Sequence, residues 1–348
     1  MQVYNLGTVG WRESQLYYHA LAYLRRPGLL LVQPASPYVC LGYHQDARLE
    51  IDLDYVRENQ IPLFRREVGG GAVYLDRGQL FYQFVFGRED PALPASKQAF
   101  YRKYLGPVVQ TFRDFGLQAQ FKPVNDILVD GRKISGNGAA EIGDCVVLVG
   151  NFMLDFNYEQ MARVLRVPHE KFRDKMYKSL AENLTTMRRE LGRAPSLGSL
   201  SQRLLKNAKS LVGGWTPAAI DDEIHEKCAE IWTSHSQPEW TFFNDVRNRD
   251  GREVKIAEGV SIVQKVVKLP GGLIRLTATN RKGRLYDVHL SGDFFIYPQT
   301  AVIELEGALE GAEYRAEGLS DAMARYSDEA GVEAPGITPS SLAEAIAD

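Results

Sequence analysis

The sequence is poor in the residues that build secreted scaffolds and metal centres. Three cysteines, Cys40, Cys145 and Cys228, are spread over 348 residues. Odd in number and far apart, they fit a reduced, intracellular protein better than a disulfide framework. The six histidines are scattered, and neither C-x-x-C nor H-E-x-x-H occurs, so no structural metal site is expected. No apolar run nears membrane-spanning length, no signal peptide opens the chain, and no internal repeat is visible. One-sided charge is missing too. A net charge of −3 gives no global case for binding nucleic acid or an anionic membrane. What remains is a globular composition, 45% hydrophobic and 24% charged, at a length that suggests about two domains. The expectation is a cytoplasmic monomer with no nucleic-acid or membrane partner.

Glycine and arginine are concentrated in one stretch, Arg65-Arg66-Glu67-Val68-Gly69-Gly70-Gly71-Ala72-Val73-Tyr74-Leu75-Asp76. The guanidinium fork pairs well with carboxylate and phosphate. Consecutive glycines let a ligand approach the backbone closely. The run Ala72 to Phe86 reads as two strands broken at Asp76-Arg77-Gly78, a buried hairpin. Taken alone, the stretch fits equally a cradle for an anionic ligand or a hairpin corner with solvated arginines.

A second stretch, Asn125-Asp126-Ile127-Leu128-Val129-Asp130-Gly131-Arg132-Lys133-Ile134-Ser135-Gly136, pairs a strand with an Asp-Gly turn, a strong hairpin signal. Lys133 opens the second strand beside Ser135, Gly136 and Gly138. It is either a point charge where backbone can come close or a solvated turn lysine.

Around these stretches strands and helices alternate. Residues 1–10 read as a strand and Trp11 to Arg26 as a helix closed before Pro27-Gly28. Leu29 to Gln33 and Tyr38 to Tyr43 read as strands, with His44 in a solvated loop. A short helix spans Glu50 to Asn59. In the helix from Ser96 to Phe115, Phe100, Tyr104, Val108 and Phe112 form a core-facing stripe. Cys145 reads as a small buried hydrophobe. Residues 190–245 are helical. Val254 to Val267, Leu273 to Thr279 and Leu285 to Leu290 are strand-like, separated by Pro270-Gly271-Gly272 and Asn280 to Gly283. Thr338-Pro339 caps a final helix.

Together the two stretches resemble the lipoate–protein ligase family: an Arg-Arg pair, Gly-Gly-Gly-Ala-Val and an aromatic, then Asn-Asp, a short strand and Lys-Ile-Ser-Gly. Tyr177 to Met187 weakly resembles a later family segment, with Ser179 and Thr185 as its small polar contacts. The end of the chain, with Ser291-Gly292-Asp293-Phe294-Phe295, resembles the family's accessory domain. The resemblance implies an α/β (α+β) fold. A biotin/lipoate ligase-like catalytic domain with mixed sheets and flanking helices would occupy residues 1–245, and a small α+β accessory domain residues 250–348.

The implied activity is ATP-dependent ligation. Lipoate or octanoate becomes an acyl-adenylate and is then passed to a lysine of an apo lipoyl carrier domain. That carrier would be a dehydrogenase E2 domain, a glycine-cleavage carrier or a specialised lipoate-bearing protein. Adenylation brings two anions together, so the site must cancel their repulsion. The resemblance gives Lys133 that role between carboxylate and α-phosphate. Arg66 would grip phosphate, and Gly71, Ala72, Val73 and Tyr74 would line the nucleotide. Asp126 would hold Lys133 or a metal-bound phosphate. Mg²⁺ is expected to travel with ATP, and no protein metal site is expected. The region of Phe81, Phe84 and Phe86 is a candidate acyl tunnel.

The chain departs from the pattern at Leu75, where His is usual, at Gln79, where Asn is frequent, and at Val149, where His precedes Gly. These departures bear on acyl and acceptor preference more than on adenylation. Two alternatives remain. One is an ATP-independent octanoyl or lipoyl transferase, disfavoured because Phe121 to Val124 lacks the acyl-accepting cysteine of such enzymes. The other is a non-catalytic protein that binds a lipoyl carrier.

Overall fold

A computed structural model describes residues 1–245 and 259–347. They form two compact units whose segments interleave along the chain. The first comprises Met1–Cys40, Ile51–Arg66 and Val73–Thr241; the second, Leu41–Glu50, Glu67–Ala72 and Phe242–Asp348.

The first unit carries β1 (Gln2–Val9), β2 (Gly28–Pro34), β3 (Tyr38–Leu41, whose last residue is counted with the second unit), β4 (Leu63–Arg65), β5 (Val73–Leu75) and β6 (Gln79–Gly87). Then follow β7 (Gln120–Lys122), β8 (Asp126–Val129), β9 (Arg132–Ile142), β10 (Cys145–Met153) and the two-residue β11 (Thr216–Pro217). Eight of these make one mixed sheet in the order β11-β1-β2-β6-β10-β9-β8-β7; a small sheet runs β4-β3-β5. The main helices of this unit are α1 (Trp11–Tyr23), α2 (Lys97–Asp114), α3 (Tyr158–Val164), α4 (Arg173–Asn183), α5 (Leu197–Ala208) and α6 (Asp222–His235).

Local chemistry sets several boundaries. Every residue of α1 from Ser14 to Ala22 is buried, and the helix stops at Tyr23, short of Arg26, because Arg25 turns left-handed at φ 55° ahead of Pro27. Ser96 caps α2 by accepting the Ala99 N–H. The stripe Phe100, Tyr104, Val108 and Phe112 is buried as expected. It receives one face of β6: the Phe86 ring lies 4.4 Å from Tyr104 and 5.9 Å from Phe100. Phe84 stacks on Phe86 at 5.8 Å, so both rings are core.

One expectation differs. The run from Ala72 to Phe86 is not a hairpin. β5 pairs with β3, whereas β6 pairs with β2 and β10. The turn between them is fixed from both sides. Gly78 N–H donates to Asp76 Oδ1 at 2.7 Å, and its carbonyl accepts from Leu154 and Asp155 N–H at 2.8 and 2.9 Å. The chain therefore leaves one sheet and enters another.

The second unit contains β12 (Val260–Leu269), β13 (Gly272–Arg281) and β14 (Arg284–Gly292) in an antiparallel sheet, with α7 (Ala301–Leu309), α8 (Ala316–Ala330) and α9 (Pro339–Ile346). The expected strand from Val254 begins at Val260; residues 254–258 lie outside the described residues. Ile274, Leu276 and Leu290 from the sheet pack with Val302, Leu309, Leu319 and Ile346 from the helices. Thr338 caps α9 with Pro339 in its first turn.

Leu41–Glu50 and Glu67–Ala72 are bound into this unit. Tyr43 N–H bonds Val68 O at 3.0 Å, and Gly70 N–H bonds Phe294 O at 3.1 Å. A Cβ on Gly42 would collide with the Gly70 carbonyl, so the two segments touch backbone to backbone. His44, expected in a solvated loop, is instead buried. Its ring stacks on Phe294 at 4.7 Å, and Nε2 lies 2.9 Å from Gln299 O.

Candidate active site

The lysine hairpin forms where the Asp-Gly turn predicts. Asp130 and Gly131 both have positive φ, 48° and 77°, the pair of left-handed residues that matches strand twist. β8 and β9 then pair antiparallel, with a register shift between Ile127 and Leu128. Lys133 Nζ lies 2.7 Å from Asp126 Oδ1, and both side chains are about one-third exposed, 35% and 28%. A pair this wet contributes about 0.2–1 kcal/mol, so its value lies in holding the ammonium in one direction. The lysine stem crosses Gly136: a Cβ there would come within 3.0 Å of Lys133 Cε and 3.2 Å of Nζ.

Two sets of bonds hold this hairpin. On the far face of β9, the buried Tyr82 hydroxyl reaches Ser135 Oγ at 2.8 Å and also bonds Asn137 Oδ1. Asn137 Nδ2 donates to Asn125 O at 2.8 Å, and Asn125 Nδ2 donates back to Asn137 O. The residue before Asp126 is thus tied to β9. At the other end, Thr185 N–H donates to Lys133 O at 2.9 Å. The Thr185 hydroxyl bonds Glu190, whose Oε1 also takes Arg132 Nη2 at 2.8 Å. Thr185 is therefore part of the lysine strand's support, while Ser179 is exposed on α4. The support from Tyr82, Asn137 and Glu190 was not read from the sequence. Tyr82 and Asn137 are polar residues inside otherwise buried strands, which is a signal; Glu190 lies in the short helix Met187–Leu191 and has none.

The two arginines part company. Arg65 is fully buried, and its Nε and Nη2 donate to Thr241 O at 2.9 and 2.6 Å. Trp240 Nε1 donates to Arg65 O at 2.8 Å. Arg65 is a structural cation. Arg66 is half-buried, with Nη1 3.3 Å from Cys40 O and 3.6 Å from Cys40 Sγ. Cys40 faces Val73 across the small sheet, and Val39 faces Tyr74. Arg66, Val73 and Tyr74 therefore share one local structure. Burial pushes the Cys40 thiol up, against the pull of the Arg66 guanidinium. It also pushes the Tyr74 phenol up to about 12, with Asp76 and Tyr55 adding to it. Gly71 and Ala72 belong to the second unit, where Asp293 Cβ lies 3.6 Å from a Cβ built on Gly71.

A cleft of about 1160 Å³ opens in the first unit. Tyr74, Asp76 and Gly78 line it from one side, and Asp155, Tyr158 and Arg173 from another. Burial raises the Asp76 carboxyl from its ordinary value, opposed by its Gly78 N–H bond and reinforced by Asp155. Cys145 is buried at the start of β10, and burial raises its thiol as well. Among the described residues no group of three or more His, Cys, Asp or Glu side chains is placed to hold a metal ion. No helix of the described residues is long and apolar enough to cross a membrane.

Residues 12–209 match the lipoyl protein ligase A/B catalytic domain, and residues 262–346 the bacterial lipoate protein ligase C-terminus; the chain belongs to this enzyme family. It is similar to the lipoate-protein ligase LplJ of Bacillus subtilis, 28% identical over 297 residues that cover 84% of each chain. It is also similar to the octanoyltransferase LipM of Kyrpidia tusciae, 23% identical over 62% of this chain and 87% of that one. Among solved structures, the bipartite lipoate protein ligase of Thermoplasma acidophilum, described with its E2 lipoyl domain, superposes with a TM-score of 0.62 at 27% identity. That match covers 69% of this chain and 95% of the other. LipL1 of P. falciparum, solved with lipoate, shares the fold over 95% of this chain and 97% of its own, with a TM-score of 0.67 at 17% identity.

Proposed function

We propose that this chain is an ATP-dependent lipoate–protein ligase. The observation that carries the reading is the Lys133–Asp126 pair at 2.7 Å, with the lysine stem laid over Gly136. In the first step a carboxylate oxygen of lipoate or octanoate attacks the α-phosphorus of ATP, and pyrophosphate leaves with the electrons of the broken P–O bond. Both reactants are anions. An ammonium fixed between them lowers the repulsion and stabilises the charge that gathers on the α-phosphoryl oxygens. Asp126 keeps that ammonium from folding back, and the glycine floor leaves room for the phosphate.

Arg66 supplies the second cation, and Gly71, Ala72, Val73 and Tyr74 line the nucleotide. Any Mg²⁺ would come with ATP and would offset charge on the leaving pyrophosphate; among the described residues no group of three or more His, Cys, Asp or Glu side chains is placed to hold it without the nucleotide. In the second step the amine of a carrier-domain lysine attacks the acyl carbonyl, AMP departs, and the amine loses a proton. The carrier is an apo lipoyl domain of the dehydrogenase E2 or glycine-cleavage type, or a specialised relative. Similarity to octanoyltransferases supports a second reading, acyl transfer between carriers without ATP.

Intact mass of an apo lipoyl domain separates the two readings. Incubation with the chain, lipoate and MgATP is expected to add one lipoyl group, and omission of ATP to abolish the gain. A gain from an octanoyl-loaded carrier without ATP, and none from lipoate with ATP, would replace the ligase reading with the transferase.

A further inference from the structure

β6 presents two faces. Leu80, Tyr82, Phe84 and Phe86 alternate toward α2, and Gln79, Phe81, Gln83 and Val85 point the other way. Directly paired residues share a face. Gln79 therefore stands beside Met153, Phe81 between Asn151 and Val32, and Gln83 between Val149 and Leu30.

Lys133 belongs to this same face. Asn151 Oδ1 accepts the Gly136 N–H at 3.1 Å, and Gly136 is the residue the lysine stem crosses. From β9 to β6 is two strand spacings, about 10 Å, comparable to the length of an extended medium acyl chain. An acid whose carboxyl sits at Lys133 and whose tail runs over this face reaches β6.

Of the expected apolar lining, Phe81 stands on this face. Phe84 and Phe86 lie on the opposite face, in the core with α2. Gln79 is fully buried, and both its Nε2 and its Oε1 lack a hydrogen-bond partner. Gln83 has its Nε2 on Ser14 O at 2.7 Å, with Oε1 left over. Burying an amide with neither polar atom bonded is costly, and such groups are rare enough to need a cause. Gly78, the next residue back, lines the cleft.

We propose that Gln79 is a specificity-determining residue that hydrogen-bonds a polar group at the far end of the acyl chain. The preferred acid is then a medium-chain carboxylic acid with a hydroxyl or similar hydrogen-bonding group on its tail, in preference to a plain alkyl acid. The proposal rests on the ligase reading for the position of the carboxyl end. Its physical basis is asymmetric: a site built to hydrogen-bond a group strongly rejects the analogue that lacks it, because its own polar atoms stay unpaired.

The test is titration calorimetry of the full chain with octanoate and with ω-hydroxyoctanoate, without nucleotide, on wild type, Gln79→Met and Gln79→Asn. Wild type is expected to bind the hydroxy acid about tenfold more tightly or better. Gln79→Met should reverse that order, and Gln79→Asn should keep it. Equal binding by wild type, binding of neither acid, or a preference that survives in Gln79→Met overturns the proposal; the wild-type ratio decides it even where a variant does not fold. Pyrophosphate release with MgATP is measured in parallel. A Gln79-dependent binding preference with no pyrophosphate from any acid upholds the inference and removes the ligase reading alone.

Discussion

The lysine hairpin and the arginine–glycine stretch both carry charge beside glycine, yet they are built in opposite ways. In the hairpin, partners are near in sequence. Asp126 and Lys133 are separated by one Asp-Gly turn, and Gly136 lies three residues further along the same strand. In the other stretch the partners are remote. Arg65 is held by Thr241 and Trp240, Arg66 by Cys40, and Gly70 by Phe294. A local motif can be read as geometry. A motif whose partners lie far along the chain can be read only as chemistry, and two adjacent arginines then look alike when they are not.

The largest expected effect falls on the hairpin. Lys133→Ala should lower acid-dependent pyrophosphate release by about a thousandfold, while the thermal midpoint stays near wild type because the removed pair is partly exposed. Normal release from this variant would remove Lys133 from the site.

The arginines give the next effect, and it divides. Arg65→Met should lower unfolding stability in urea by about 3 kcal/mol, since Thr241 O loses two charged donors in a buried place. Arg66→Met should change stability by less than about 1 kcal/mol and cut pyrophosphate release about a hundredfold. If the two variants behaved alike, the contrast between structural and functional cation would be lost.

The smallest effect concerns the two aspartates. Asp126 faces an ammonium, whereas Asp76 takes a backbone N–H at the cleft, and burial raises its carboxyl. With its folded value above its unfolded one, Asp76 favours the folded state fully below the unfolded carboxylate range. It loses that contribution as pH rises through the folded value. Asp76→Asn should therefore raise the thermal midpoint at about pH 7 and leave it unchanged near pH 3. A larger gain at the acid end would contradict the assigned cause.

Much of the fold was legible because it follows from period and punctuation. The stripe from Phe100 to Phe112, the Asp130-Gly131 turn and the Thr338 cap are local patterns with local outcomes. The run from Ala72 to Phe86 failed as a hairpin because its turn is occupied by bonds from Leu154 and Asp155, which no window around residue 77 contains. His44 was misread for the same reason: its cover comes from Phe294 and Gln299. At the candidate site, the hairpin that carries Asp126 and Lys133 was legible from its Asp-Gly turn; their ion pair is one of the two roles the resemblance left open for Asp126. The Tyr82–Asn137 and Thr185–Glu190 supports were not legible, since each joins strands or helices that only the fold brings together.

The alternation of the two units along the chain also has a consequence in time. Glu67–Ala72 pack with residues around Phe294. At roughly 5–20 residues per second, the stretch from Ala72 to Phe294 takes about 10–45 seconds to be synthesised. Throughout that interval the glycine loop is made but has no surface to close on. The second unit therefore closes only after the residues around Phe294 are made, long after its own first segments.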